Sequence, residues 1–99
     1  MEDSSDGSST TKHPFTLFVS GMSVKSGHAV ENLRKICDTY LVDNYEVEII
    51  DIGRDKEQAV IHQIVAIPTL IKTGPEPRRI ILGDLSDTEK VLKILNIRG

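Results

Sequence analysis

Pro68 sits at the head of a short, β-branched apolar run, Ile67-Pro68-Thr69-Leu70-Ile71, and that position limits what the chain can build. A proline has no N–H to give to a ladder, so in a sheet it is confined to edge strands, bulges or the first residue of a strand. The residue before it is biased away from the helical region. A strand is therefore expected over Thr69 to Lys72, and the helix before it must end short of Pro68.

The chain on either side supplies the partners for that strand. Residues 1–14 are rich in Ser, Thr, Gly and Asp, offer almost nothing apolar to bury, and are expected to form a disordered tail ahead of one domain over residues 15–99. Phe15-Thr-Leu-Phe-Val-Ser20 carries apolar residues on both faces, as a central strand requires. Ser23 or Ser26 can cap the helix that follows, in which Ala29, Val30, Leu33, Ile36, Cys37, Tyr40 and Leu41 recur at three- and four-residue spacing. After the Asp43-Asn44 turn, Tyr45 to Ile52 sets Val47 and Ile49 between Glu46 and Glu48, the pattern of a charged edge strand. Asp55 can cap a second helix, with Ala59, Val60, Ile61, Ile64 and Val65 expected on its inner face and Glu57, Gln58, His62 and Gln63 turned outward. Gly74-Pro75-Glu76-Pro77 reads as a turn joining Thr69–Lys72 to a strand over Arg78 to Leu82. Ser86-Asp87-Thr88-Glu89 has the spacing of a capping box opening a last helix that buries Val91, Leu92 and Leu95.

The predicted order is β-α-β-α-β-β-α, with a parallel pair made through a right-handed helical crossover and an antiparallel hairpin added after the second helix. An α/β domain with a mixed four-stranded sheet in this order resembles the thioredoxin-like fold. In thioredoxin-like proteins the bond before the strand-opening proline is cis, which makes Ile67, Pro68 and Thr69 the expected cis-proline motif here. Thiol exchange on that fold needs a Cys-x-x-Cys at the head of the first helix, and this chain has one cysteine, Cys37, within an apolar stripe. The scaffold signal is present without the redox chemistry. A small buried hydrophobe is the expected role of Cys37, against the alternative of a thiol enzyme acting through it alone.

Other chemistry is equally sparse. His13, His28 and His62 have no cysteine or carboxylate at a metal-ligand spacing, and neither nucleotide-binding glycine fingerprint is present, so no cofactor is expected. Asp84 and Asp87 flank the start of a helix, where carboxylates act as caps. Arg78 and Arg79 adjoin in a strand and leave from opposite faces. A net charge of −3, of which −2 falls in the first 14 residues, gives no basic footprint for nucleic acid. No apolar run is long enough to cross a membrane. A lone cysteine and an amino terminus without the basic and apolar regions of a signal peptide point to the cytoplasm.

Leu17-Phe18-Val19-Ser20-Gly21, Ile50-Asp51-Ile52, Ala66-Ile67-Pro68-Thr69-Leu70 and Arg78-Arg79-Ile80-Ile81-Leu82-Gly83-Asp84-Leu85-Ser86 together resemble KaiB, the small clock protein family of cyanobacteria and other bacteria. The resemblance runs from about Phe15 to Leu95, and its last segment is the most specific. It implies a non-catalytic protein that docks on the ring-shaped KaiC-type ATPase and competes with or recruits other signalling proteins, KaiA or a histidine kinase among them. Members of the family can be metamorphic: one packing is thioredoxin-like and monomeric, and the other rearranges the C-terminal half and forms a tetramer. Gly83 and Asp84 are the residues this resemblance assigns to the switch. Arg54, Lys56 and Gln63, on the second helix and its adjoining loop, are the expected partner contacts. The loop Ser20-Gly21-Met22-Ser23-Val24 and the stretch Val60-Ile61-His62-Gln63 depart from the family pattern. Those departures leave open the sensory domain of a clock-associated histidine kinase and a stress-signalling relative with no clock role.

Overall fold

The computed structural model describes residues 13–21, 23–42, 44–74 and 77–97. Seven elements follow one another: β1 (His13–Val19), α1 (Val24–Tyr40), β2 (Tyr45–Asp51), α2 (Lys56–Ile61), β3 (Thr69–Lys72), β4 (Arg79–Leu82) and α3 (Thr88–Leu95). The four strands form one mixed sheet in the order β2-β1-β3-β4. β1 pairs parallel with β2 from His13 opposite Tyr45 to Val19 opposite Asp51, and antiparallel with β3 through Phe15 opposite Lys72 and Phe18 opposite Thr69. β3 and β4 form the antiparallel hairpin, with Thr69 facing Leu82 and Lys72 facing Arg79. This is the α/β, thioredoxin-like arrangement expected from the element order.

β1 starts two residues earlier than expected. The 1–14 tail cannot include His13 and Pro14, because both are paired with β2 and the His13 N–H donates to the carbonyl of Asn44 at 3.0 Å. The rest of that segment, residues 1–12, lies outside the described residues, as do Asp43 of the first turn and Pro75 and Glu76 of the hairpin turn.

The core lies on one side of the sheet, where α1 and α3 cover Phe15, Leu17 and Val19 of β1 together with Leu70 and Ile81. Ala29, Leu33, Ile36 and Cys37 supply the α1 face, and Val91 and Leu95 the α3 face, with Leu92 partly buried beside them. Both candidate serines take part in starting α1. Ser23 caps it by accepting from the Ser26 N–H at 3.2 Å, while the Ser26 hydroxyl accepts from the Ser20 N–H at 3.0 Å. α3 is capped one residue later than the capping-box spacing suggests. Asp87 is the cap and accepts from the Lys90 N–H at 3.2 Å, whereas the Ser86 N–H is taken by Asp84 Oδ1 at 3.1 Å.

α2 is the largest departure from expectation. It ends at Ile61, and none of its residues is buried. Gln63 adopts a left-handed φ of 54°, its N–H donates to Val60 O at 3.2 Å, and the Ile64 N–H reaches back to Ala59 O at 2.8 Å. That paired closure is the Schellman stop, here with Gln where Gly is usual. Past it, Ile64 and Val65 no longer continue the helical face on which their spacing places them. The same closure ends α3, where Asn96 is left-handed at φ 58° and the Ile97 N–H donates to Leu92 O at 2.9 Å.

Candidate docking surface

The side of the sheet away from α1 and α3 is only partly covered, and its geometry follows from how the chain crosses it between β2 and β3. Asp51 directs the exit from β2, because its carbonyl accepts from both Arg54 and Asp55 N–H groups and its Oδ1 from Gly53 N–H at 2.9 Å. Asp55 occupies the cap position of α2 without a side-chain bond to it. Six helical residues span about 9 Å, too short to roof four strands. The return to the sheet is made through a cis Ile67–Pro68 bond with Pro68 buried. Thr69 Oγ1 donates to Ala66 O at 2.6 Å, and Pro68 O accepts from Gly83 N–H at 2.9 Å, tying the head of β3 to the end of β4.

Two cross-strand rows make up this outer face. One runs Glu48, Thr16, Ile71, Ile80, and the next Ile50, Phe18, Thr69, Leu82. His62 covers part of it, its ring lying 5.1 Å from that of Phe18 at 49°. Beyond His62 the roof gives out and an open groove of about 350 Å³ runs between Gln63, Ile64 and Val65 on one side and Ile80 and Leu82 on the other, floored by Thr69 and Ile71. Val65 is 90% exposed and Val60 78%, and Ile61, Ile80 and Leu82 are each more than half exposed. The expectation that Val60, Ile61 and Val65 form an inner face is therefore overturned: with α2 stopped by Gln63, these aliphatic side chains point to solvent. A recess beside the groove, lined by Thr16, Phe18, His62, Ile71, Thr73 and Arg78, brings one guanidinium to its edge.

The structure separates the three expected contact residues. Gln63 lines the groove, whereas Arg54 and Lys56 sit exposed before and at the start of α2, at its opposite end. Thr69 joins Gln63 in the groove, and Gly83 meets the cis-proline motif through its bond to Pro68. Gly83 has a φ of +109°, which favours glycine, and Leu85 follows at +64° with its side chain buried in the core. Asp84 between them accepts from the Asn32 side chain through its carbonyl at 2.8 Å. Hydrogen bonds from Ser86 hold the exposed Asp84 carboxyl below its usual value, helped by Lys25 and His28.

Missing from the sequence reading were the aliphatic side chains Val60, Ile61, Val65, Ile80 and Leu82 as a surface. Their only signal was an apolar excess around a helix too short to bury it. Cys37 lies on the core side, fully buried, and burial together with Asp38 pushes its thiol up to about 12, so a nucleophilic thiolate is not available at neutral pH. Among the described residues no group of three or more His, Cys, Asp or Glu side chains could hold a metal ion, and no helix is long and apolar enough to cross a membrane.

Comparison with known proteins returns the same family on which the motifs converge. The family model described as the KaiB domain matches residues 16–97. A protein named circadian clock protein KaiB3, from Synechocystis sp., is 46% identical over 81 residues, which is 82% of this chain and 79% of that one. A circadian clock oscillator protein KaiB from Synechococcus sp. is 41% identical over 76 residues, 77% of this chain and 69% of its own. Among solved structures, the N-terminal domain of SasA from Synechococcus elongatus superposes with a TM-score of 0.70 at 22% identity, covering 87% of this chain and 85% of that domain. The germline thioredoxin Deadhead of Drosophila melanogaster gives 0.69 at 14% identity, with 91% and 84% covered. At such identities the structural likeness speaks for the fold alone.

Proposed function

The chain belongs to the KaiB family of circadian clock proteins, and from that premise we propose that it is a non-catalytic docking module for a KaiC-type ATPase. The observation that carries this reading is the open aliphatic groove between the end of α2 and β4, on the face of the sheet away from the α1–α3 core. Exposed apolar surface of this kind, rimmed by polar groups, marks sites of protein association. Arg78 at the adjoining recess suits a carboxylate on the partner, which would fix orientation more than affinity. Arg54 and Lys56 then act as flanking charges that steer the approach, and Gln63 as a contact within the groove.

A lone buried thiol and the lack of a Cys-x-x-Cys support a role without turnover. The same ATPase is the place where competition with KaiA or a histidine kinase would occur. Gly83 and Asp84 lie where β4 gives way to α3, beside the positive-φ Leu85, and that boundary is our candidate hinge for a second, tetrameric packing. The local signals favour the thioredoxin-like packing: the hairpin pairing, the Asp87 cap and the left-handed Asn96 all agree with one another.

The test is to mix the purified chain with a KaiC-type ATPase from the same cell, with and without ATP, and follow the complex by size-exclusion chromatography. Co-elution is expected. No complex in either condition contradicts the proposal.

A further inference from the structure

The core side of the sheet ends in a cluster of basic groups that the docking surface does not use. Lys72 closes β3 with Phe15 opposite on one flank and Arg79 on the other, and His13 stands two residues before Phe15, hence on the same side of the sheet. Phe15, Leu70 and Ile81 on that side belong to the core, so these three basic side chains continue the core face at its open end. Lys72 is only 6% exposed there, and His13 Nδ1 is buried without a hydrogen-bond partner among the described residues. Burial and then the neighbouring cation push His13 toward its neutral form through Lys72, and Lys72 toward its own through Arg79.

Among the described residues the carboxylates nearby in the fold are otherwise engaged. Asp38, at the end of α1, accepts the Tyr45 hydroxyl at 2.6 Å. Glu46 and Glu48 alternate to the outer face. A nearly buried ammonium beside a guanidinium and a half-buried imidazole is unfavourable without a counter-charge. The donors sit on three adjacent strands, spaced by about 4.8 Å each. Such a spread matches an anion with three or four acceptor oxygens better than a planar carboxylate with two. Arginine offers a fork to two of those oxygens, lysine a compact charge, and the histidine a donor once protonated.

We propose that His13, Lys72 and Arg79 form a binding site for a phosphate-type oxyanion. Free phosphate and a phosphorylated side chain share this chemistry. The experiment is an amide and histidine-ring NMR titration of the full chain with inorganic phosphate, and separately with a short phosphoserine peptide, each against sodium chloride at matched ionic strength. Saturable shifts confined to the surroundings of residues 13, 72 and 79 are expected, with a dissociation constant on the order of millimolar for the small ion. Lys72→Met keeps the buried stem and removes the charge, and should weaken binding at least tenfold. Should that variant fail to fold, Arg79→Gln at the half-exposed position makes the same test. Saturation by phosphate itself assigns the site to the free ion, and saturation by the peptide alone assigns it to a phosphorylated side chain. Shifts that never saturate, that chloride reproduces, or that survive both substitutions overturn the proposal.

Discussion

Leu70 and Leu82 lie on neighbouring strands of one hairpin, yet they should respond very differently to truncation, and the contrast measures whether the outer face is open in solution. Leu70 is 0% exposed and sits in the core, so Leu70→Ala should cost about 3.5 kcal/mol, the middle of the range for buried leucines. Leu82 is 59% exposed, which leaves about two-fifths of it covered. Scaling the ~1.5–3 kcal/mol of a fully buried leucine by that fraction gives about 1.2 kcal/mol as the upper end for Leu82→Ala. In urea, with a slope of about 1.5 kcal/mol/M, the midpoint should fall by about 2.3 M for Leu70→Ala and by no more than about 0.8 M for Leu82→Ala. Far-UV circular dichroism during urea unfolding reads both. Leu82→Ala should in addition weaken ATPase binding about fivefold, the equivalent of ~1 kcal/mol. Equal losses of stability for the two variants would refute the reasoning, because they would mean that the outer face is packed in solution rather than open.

Other expectations follow from single residues. Asp87→Ala should cost about 1 kcal/mol and lower the melting temperature by roughly 4–8 °C, with Ser86→Ala near neutral, since the cap is Asp87. Gly83→Ala should cost about 1–2 kcal/mol in the same melts through its φ of +109° alone, because an added Cβ meets nothing within 4 Å. Gln63→Gly should raise stability by about 0.5 kcal/mol or more, as glycine adopts the left-handed φ without steric cost, and thermal denaturation checks it. Cys37 should resist iodoacetamide in the native protein and react in urea. Its thiol is raised from 9.0 to about 12 on folding, so above pH 9 the unfolded chain loses that proton first and stability should decline as pH climbs toward 12. Cys37→Ala removes that component of the slope, as pH-dependent urea titrations would show.

The sheet was legible because its signals are local and redundant. Pro68 fixed the head of β3, the alternating glutamates marked β2 as an edge, and the stripe through Ala29, Leu33, Ile36 and Cys37 announced the helix that covers the core. The stop of α3 at Asn96 was not read, although Asn tolerates the left-handed region. The stop at Gln63 could not be read, since nothing in a glutamine announces positive φ, and the spacing of Ala59, Ile64 and Val65 fits a longer helix equally well. That second unread stop hid the candidate site. It turned a supposed inner face into exposed Val60, Ile61 and Val65, and it opened the groove against Ile80 and Leu82. The cap of α3 was missed because Ser86 and Asp87 are adjacent and both able to cap, and it is Asp87 Oδ1 that accepts from the Lys90 N–H.

The most direct test of the docking face is a methyl NMR titration of chain labelled at Ile, Leu and Val with a KaiC-type ATPase. The methyls of Val65, Ile80 and Leu82 should shift and broaden as the complex forms, while those of Leu17, Leu70 and Leu95 in the core hold their positions. Perturbation confined to Val47 and Ile49 on the β2 edge, or absent from the groove altogether, would contradict the account.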